Sequence, residues 1–357
     1  MTAIEPVSTV DYHTGGEPFR IVTGGVPTLA GANVLARRAW AMEHLEDVRH
    51  LLVDEPRGHA DMYGGFVTPP DDDGADLGVV FFHNEGYSTA CGHGTIALVT
   101  WALESGVVAG READDGTRQV VVDVPSGRLT CHARFDAASG RVASVRFRNV
   151  PAFVLAVDVP VETSRGPLTL DIGFGGAFYG TLDVRHLGSR VEPAALPALI
   201  ALQRELRPAL EAAVDVAHPT IAELAGIYGV IFWEPVESTG VTEGSAAGHV
   251  TLAADGPLAQ RNVTVFADGE VDRSPCGSGT SARLAVLHAR GGIATGRSLE
   301  HRSIVDSIFH ASVVAAGPSL AGHATVITDI EGSAFATGVH RFELDPRDPL
   351  GTGFLLR

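Results

Sequence analysis

The chain has 357 residues, 45% of them apolar, with 42 glycines and a formal charge of −17. That length fits two domains of ordinary size or one large one, and the composition is globular, not disordered. So acidic a surface repels phosphate backbones, which sets nucleic acid aside as a partner.

The opening stretch MTAIEPVSTVDY lacks a basic region followed by an apolar core, so no signal peptide is expected. No apolar run approaches the roughly 18 residues that suggest a membrane span. Three cysteines cannot build a disulfide framework and fit a reducing compartment. A soluble cytoplasmic protein is expected. VDYHTGGEPFRIV (10–22) sets Gly-Gly between alternating apolar stretches, and LDIGFGGAFYGTLDV (170–184) does the same. His13, Thr14, Gly15 and Gly16 fit either turn chemistry or support of a cleft. Glu17 and Arg20 are expected as a structural ion pair. DDDGAD (71–76) reads as a solvated loop.

LGVVFF (77–82) predicts a strand, HNEGYSTACGHG a loop, and TIALVTWALESG a helix ending at Gly106. VVDVPSGRLTCHARF (121–135) predicts a hairpin turning at Pro125-Ser126-Gly127. Cys131 alternates with apolar neighbours there and reads as buried and inert. EPAALPALIALQRELRPALEAAV (192–214) predicts a helix interrupted by prolines. RNVTVFADG (261–269) predicts a strand and turn, EVDRSPCGSG a loop, and TSARLAVLHARGG a helix stopped by Gly291 and Gly292.

Cys-Gly-x-Gly-Thr thus occurs twice, at Cys91 and at Cys276, each time on a strand–loop–helix unit. With the echo at the starts of the halves, this predicts an internal duplication whose two loops face each other across a cleft. A helix N-terminus has amides without internal partners and a partial positive charge. Glycines let a ligand approach the backbone. Such a site holds a carboxylate and is expected to lower a thiol pKa from about 8.5 into the range of roughly 3.5 to 7.5. Two facing copies would put the α-carbon of a bound carboxylate between two thiols. One thiolate removes the α-proton, the other thiol delivers a proton to the opposite side, and no cofactor is required. Two other classes fit the same residues. Cys91, His93 and Cys276 are possible zinc ligands, though no Cys-x-x-Cys or helical His-x-x-x-His accompanies them. A redox thiol pair or a carboxylate-binding module is the remaining class.

These segments resemble the proline racemase family of proline racemases, 4-hydroxyproline 2-epimerases and trans-3-hydroxy-L-proline dehydratases. The match runs from DYHTGGEPFRIV through EPRGHADMYGG (55–65), HNEGYSTACGHGT (83–95), GGAFYG (175–180), HPT (218–220), VDRSPCGSGT (271–280) and IEGSAFATG (330–338) to the closing DPRDPLGTGFLL. The resemblance implies an α/β fold like that of diaminopimelate epimerase, two pseudo-symmetric domains each with a curved mixed sheet around a central helix. The expected halves are 1–165 and 166–339, with the tail 340–357 packing on the first half and the active site between them. It gives Cys91 and Cys276 the acid/base roles and gives the backbone near Gly92, His93, Gly277 and Ser278, with Thr280, the substrate carboxylate. It gives Asp272 the ring ammonium and makes Tyr63 and Phe266 apolar walls. His93 borders the pocket or merely caps its helix. His59 and His218 read as structural. No metal or cofactor is implied. The expected partner is a small imino acid, and a homodimer is among the expected assemblies. HNEGYST before the first cysteine resembles the dehydratases, yet those carry Thr where this chain has Cys276. Inversion at C2 of proline or a hydroxyproline is therefore the expected reaction, and dehydration of trans-3-hydroxy-L-proline the alternative.

Overall fold

The computed structural model describes residues 5–236 and 258–356. The first four residues, where the leader reading began, lie outside them. The fold is of the expected mixed α/β class. All 18 described strands join one hydrogen-bonded sheet that wraps two central helices.

Two outer helices come first, α1 (Val34–His44), capped by Asn33 accepting from the Ala36 N–H, and α2 (Glu46–Val53). The central pair is α3 (Gly92–Glu104) and α5 (Gly277–Ala289), with α4 (Leu196–Ala213) between them in sequence. Both α3 and α5 are buried on every side over most of their length. A helix that is small and apolar all round can be stable only inside a wrapping sheet. The two Gly-Gly segments are the matching parts of that wrapping. Val7–Thr14 and Glu17–Gly24 form a hairpin on α3, while Gly166–Phe174 and Phe178–Asp183 form one on α5.

The chain passes between the helices twice. Strand Val142–Arg148 packs on α3 and the next, Ala152–Thr163, on α5. Strand Thr325–Gly332 packs on α5 and the next, Ala334–Phe342, returns to α3 and pairs with Val7–Thr14. The two passages are neighbours. Asp329 pairs with Arg148, and the Asn149 N–H donates to the Thr328 carbonyl at 2.9 Å.

Several local expectations need correction. Both central helices begin three residues earlier than predicted, because the CGxGT glycines already lie in the first turn. The strand predicted from 261 runs over Leu258–Phe266. The proline-interrupted segment divides into a 3-10 turn, Pro193–Ala195, and α4, which keeps Pro208 inside it. Glu17 and Arg20 do not pair. Arg20 grips Asp11 at 2.7 Å, and Glu17 accepts from the Arg273 N–H at 2.7 Å. The DDDGAD loop does more than meet solvent. Asp71 accepts from the Val34 N–H at 2.7 Å and Asp76 from the Val121 N–H at 2.7 Å, so they tie α1 and a strand in place. The hairpin of Arg118–Val124 and Gly127–Phe135 forms as predicted, with Cys131 fully buried. No described helix is long and apolar enough to cross a membrane.

Candidate active site

α3 and α5 meet N-terminus to N-terminus. A Cβ on Gly92 would stand 2.4 Å from the Gly277 Cα, and one on Gly277 would stand 2.6 Å from the Gly92 Cα. Each would also lie 3.0 Å from the Phe147 Cζ. Only residues without side chains allow this approach, which explains the first glycine of each motif. The junction aims two partial positive charges at one place.

That place is a small cavity of about 10 Å³. A cavity this size holds about one water molecule. Cys91 and Cys276 both line it, with Gly92, His93, Gly277, Ser278, Asp272, Tyr63 and Phe266. The structure therefore brings together every residue that the resemblance assigned to catalysis or substrate binding except Thr280. The Thr280 hydroxyl turns away, donating to the Pro275 carbonyl at 3.1 Å and meeting His301 Nδ1 at 2.8 Å. It supports the loop from behind and has no place on the cavity wall. Among the described residues, no three His, Cys, Asp or Glu side chains gather as metal ligands.

The two thiols differ in setting. Cys91 caps α3, its Sγ accepting from the Gly94 N–H at 3.2 Å, and the His93 ring nitrogens lie 3.5 Å from it. Cys276 makes no capping bond and sits at φ 64°, ψ 108°. Its Sγ lies 3.8 Å from the Tyr179 hydroxyl, which is also 2.7 Å from Ser278 Oγ. Asp272 accepts from the Ser274 N–H at 2.8 Å, and the Cys276 N–H donates to Ser274 Oγ at 3.1 Å.

The thiol pKa values are not lowered as expected. Burial pushes both up, and the Asp272 charge adds to the rise at Cys276. The helix termini and their amides oppose this without overcoming it, since taking a thiolate out of water outweighs a partial charge. Burial also raises Asp272 to about 6, against its hydrogen bonds from Ser274. It lowers His93 to about 3, which keeps that ring neutral.

Aromatic rings line the cavity. Tyr63 meets Phe266 at 6.0 Å between centroids and His93 edge-on at 5.0 Å. Tyr228 stacks on Phe266 at 5.3 Å, and its hydroxyl lies 2.9 Å from that of Tyr63. Sequence reasoning missed Tyr179 and Tyr228. Tyr179 stood inside the quoted GGAFYG segment, whereas no local pattern marks Tyr228. His13, His59 and His218 do not line the cavity. His13 accepts from the Gly16 N–H, His59 meets the Ala60 carbonyl, and His218 packs on Phe153 and Phe174.

Two thiols on facing helix N-termini thus share one small cavity with one carboxylate and several aromatic rings. The proline racemase profile matches residues 9–355. A trans-3-hydroxy-L-proline dehydratase of Bacillus cereus is 41% identical over 349 residues, 98% of each chain. A 3-hydroxyproline 2-epimerase of Burkholderia multivorans is 44% identical over 352 residues, again 98% of each. A crystal structure of a hydroxyproline epimerase from Agrobacterium vitis, with bound trans-4-hydroxy-L-proline, superposes with a TM-score of 0.85 at 32% identity, covering 99% of this chain and 96% of that one. The chain belongs to the proline racemase family, and it is an enzyme of the amino-acid racemase and epimerase type.

Proposed function

We propose that the protein inverts C2 of a hydroxyproline by a two-thiol mechanism, with Cys91 and Cys276 as the proton carriers. The observation that carries this reading is the facing pair of cysteine-headed helix N-termini on one small cavity. The substrate carboxylate lies against the first-turn amides of Gly92, His93, Gly277 and Ser278, where helix geometry supplies no acceptor. Its ring ammonium faces Asp272. That contact cancels part of the charge that raises the Cys276 thiol, so substrate binding itself favours a thiolate. The thiolate on one side takes the C2 proton. The electron pair passes into the carboxylate, whose oxygens the amides stabilise. The opposite thiol then gives its proton to the other face of C2. Tyr63, Phe266, Tyr179 and Tyr228 keep water from the carbanion. The segments around α3 and α5 act as lobes that part to admit the ring, because the cavity has room for about one water. The protein works as a soluble cytoplasmic enzyme.

Dehydration of trans-3-hydroxy-L-proline is the second reading, favoured by the HNEGYST stretch and by the name of the B. cereus relative. There one thiolate takes the C2 proton, the other thiol protonates the C3 hydroxyl, which departs as water, and the resulting enamine tautomerises to the cyclic imine. A panel of L-proline, trans-4-hydroxy-L-proline, cis-4-hydroxy-D-proline and trans-3-hydroxy-L-proline in deuterium oxide, followed by NMR and optical rotation, separates the two. Epimerisation leaves the hydroxyl in place and puts deuterium at C2 of the epimer. Clean formation of a cyclic imine, with no epimer from any substrate, overturns the first reading.

A further inference from the structure

The two halves of the site repeat one motif, yet their cysteines stand in different backbone conformations. Cys91 has φ −152°, ordinary extended backbone, and folds its sulfur back onto the Gly94 N–H. Cys276 has φ 64° and ψ 108°, outside even the left-handed helical well, and its sulfur lies beside Gly279 without completing the cap that Cys91 makes. A residue with a Cβ stays there only when its surroundings over-determine it.

What surrounds it is a closed hydrogen-bond circuit behind the loop. The carbonyl of Pro275, the residue just before Cys276, accepts from Thr280 Oγ1 at 3.1 Å and from Asn262 Nδ2 at 3.2 Å. His301 lies between these two donors, with Nδ1 2.8 Å from Thr280 Oγ1 and Nε2 2.9 Å from Asn262 Nδ2. The directions follow from the proton count. Thr280 has one hydroxyl proton and gives it to Pro275, so it accepts from His301 Nδ1–H. Nε2 is then bare and accepts from Asn262. The ring is neutral in this scheme, and burial holds its pKa down at about 3. His301, Thr280 and Asn262 are all fully buried. The first half is tied differently, with Thr95 Oγ1 donating to the carbonyl of Cys91 itself at 2.8 Å.

We infer that His301, through Thr280 and Asn262, is a positioning residue that clamps the Pro275 carbonyl, holds Cys276 in its left-handed backbone, and so presents that thiol to the cavity. Freed of the clamp, the loop relaxes toward the extended backbone of Cys91 and the sulfur leaves its present place on the cavity wall. The inference rests on the two-thiol reading for its effect on turnover, but not for its effect on the thiol.

The test uses Thr280→Val, which keeps the shape and removes the hydroxyl, and Thr280→Ser, which keeps the hydroxyl. Iodoacetamide labelling with peptide mapping gives the ratio of Cys276 to Cys91 modification. It is expected to fall at least about threefold in the valine variant and to hold in the serine variant. The 2-deuterium isotope effect on kcat/KM, measured from each C2 epimer, reads the same event in turnover. A misplacement near 1 Å slows the Cys276 transfer by about 100-fold. The isotope effect then rises for the epimer whose proton goes to Cys276. It falls toward unity for the other, whose limiting step becomes proton delivery. A variant that is merely less stable leaves both isotope effects and the labelling ratio unchanged. An unchanged labelling ratio in Thr280→Val overturns the clamp. So does a serine variant as impaired as the valine one. If wild type epimerises nothing, the functional reading fails, and the labelling ratio still decides the clamp. Should Thr280→Val not fold, His301→Gln, which reaches Asn262 but not Thr280, takes its place with the same expectations.

Discussion

Gly92→Ala sets two opposed effects against each other at the meeting point of the helices. By propensity the change helps, since alanine is preferred to glycine within a helix by about 1 kcal/mol. Sterically it cannot fit. Carbon atoms rest at about 3.5 to 4.0 Å, and the new Cβ would stand 2.4 Å from the Gly277 Cα and 3.0 Å from the Phe147 Cζ. The contact is with backbone, so no rotamer relieves it, and α3 and α5 must separate by about 1 Å. Overpacking of this kind costs about 1 to 3 kcal/mol, which cancels or exceeds the propensity gain. The larger effect is on chemistry, because a 1 Å misplacement of a catalytic group costs about 100-fold. The assay is kcat and KM for C2 inversion beside a urea unfolding curve. Gly277→Ala should behave alike, since its Cβ meets Gly92 at 2.6 Å. Gly24→Ala, with nothing within 4 Å, is the control. A Gly92→Ala enzyme within about twofold of wild-type kcat would mean that the helix junction does not set the spacing of the thiols.

Replacement of Cys91 or Cys276 by Ser is expected to nearly abolish inversion, since a hydroxyl is a far poorer base at neutral pH, while Cys131→Ala leaves turnover close to normal. Inversion that survives either serine change removes that residue from proton transfer. Asp272 holds a proton in the folded state up to about pH 6, against an ordinary carboxyl value of 3.8. Its contribution to stability is thus fully present below about pH 4 and is lost as pH rises through 6, an amplitude on the order of 3 kcal/mol. Urea unfolding from pH 4 to 7 should show this decline in wild type and a flatter profile in Asp272→Asn, and equal slopes would refute the assignment. Pyrrole-2-carboxylate, flat at its α-carbon like the carbanion, should protect Cys91 and Cys276 from iodoacetamide. Labelling that the inhibitor leaves unchanged would remove the case for a shared thiol-lined site.

The junction was legible because its requirement is written in residue types. Two backbones can touch only where glycines stand, and the thiols that flank them are too rare in this chain to recur idly. The two hairpins echoed each other for a similar reason, since each wraps a central helix with the same turn. The lowered thiol pKa was misjudged because a sequence reveals the helix terminus but not how dry the chamber beside it is. Thr280 was placed in the wrong role because a helix N-terminus fixes its position but not its rotamer, and His301, which draws it away, lies on another strand. Tyr228 escaped because it reaches the cavity through tertiary packing alone. The Arg20 partner was wrong for a comparable reason. Asp11 sits opposite it across the hairpin, while Glu17 is drawn to Arg273 from the far half of the chain.

The paired crossings give the molecule a mechanical character. Two adjacent strands, locked to each other by the Asp329–Arg148 register and the Asn149–Thr328 bond, constrain motion as two pins constrain a door. A single tether would let one lobe twist against the other. A double one leaves mainly a swing about one axis. On the proposed parting of the lobes, each sulfur travels along a fixed arc, and every closure returns the pair to the same separation. An enzyme that must serve both mirror faces of one carbon gains reproducible alignment from such a joint.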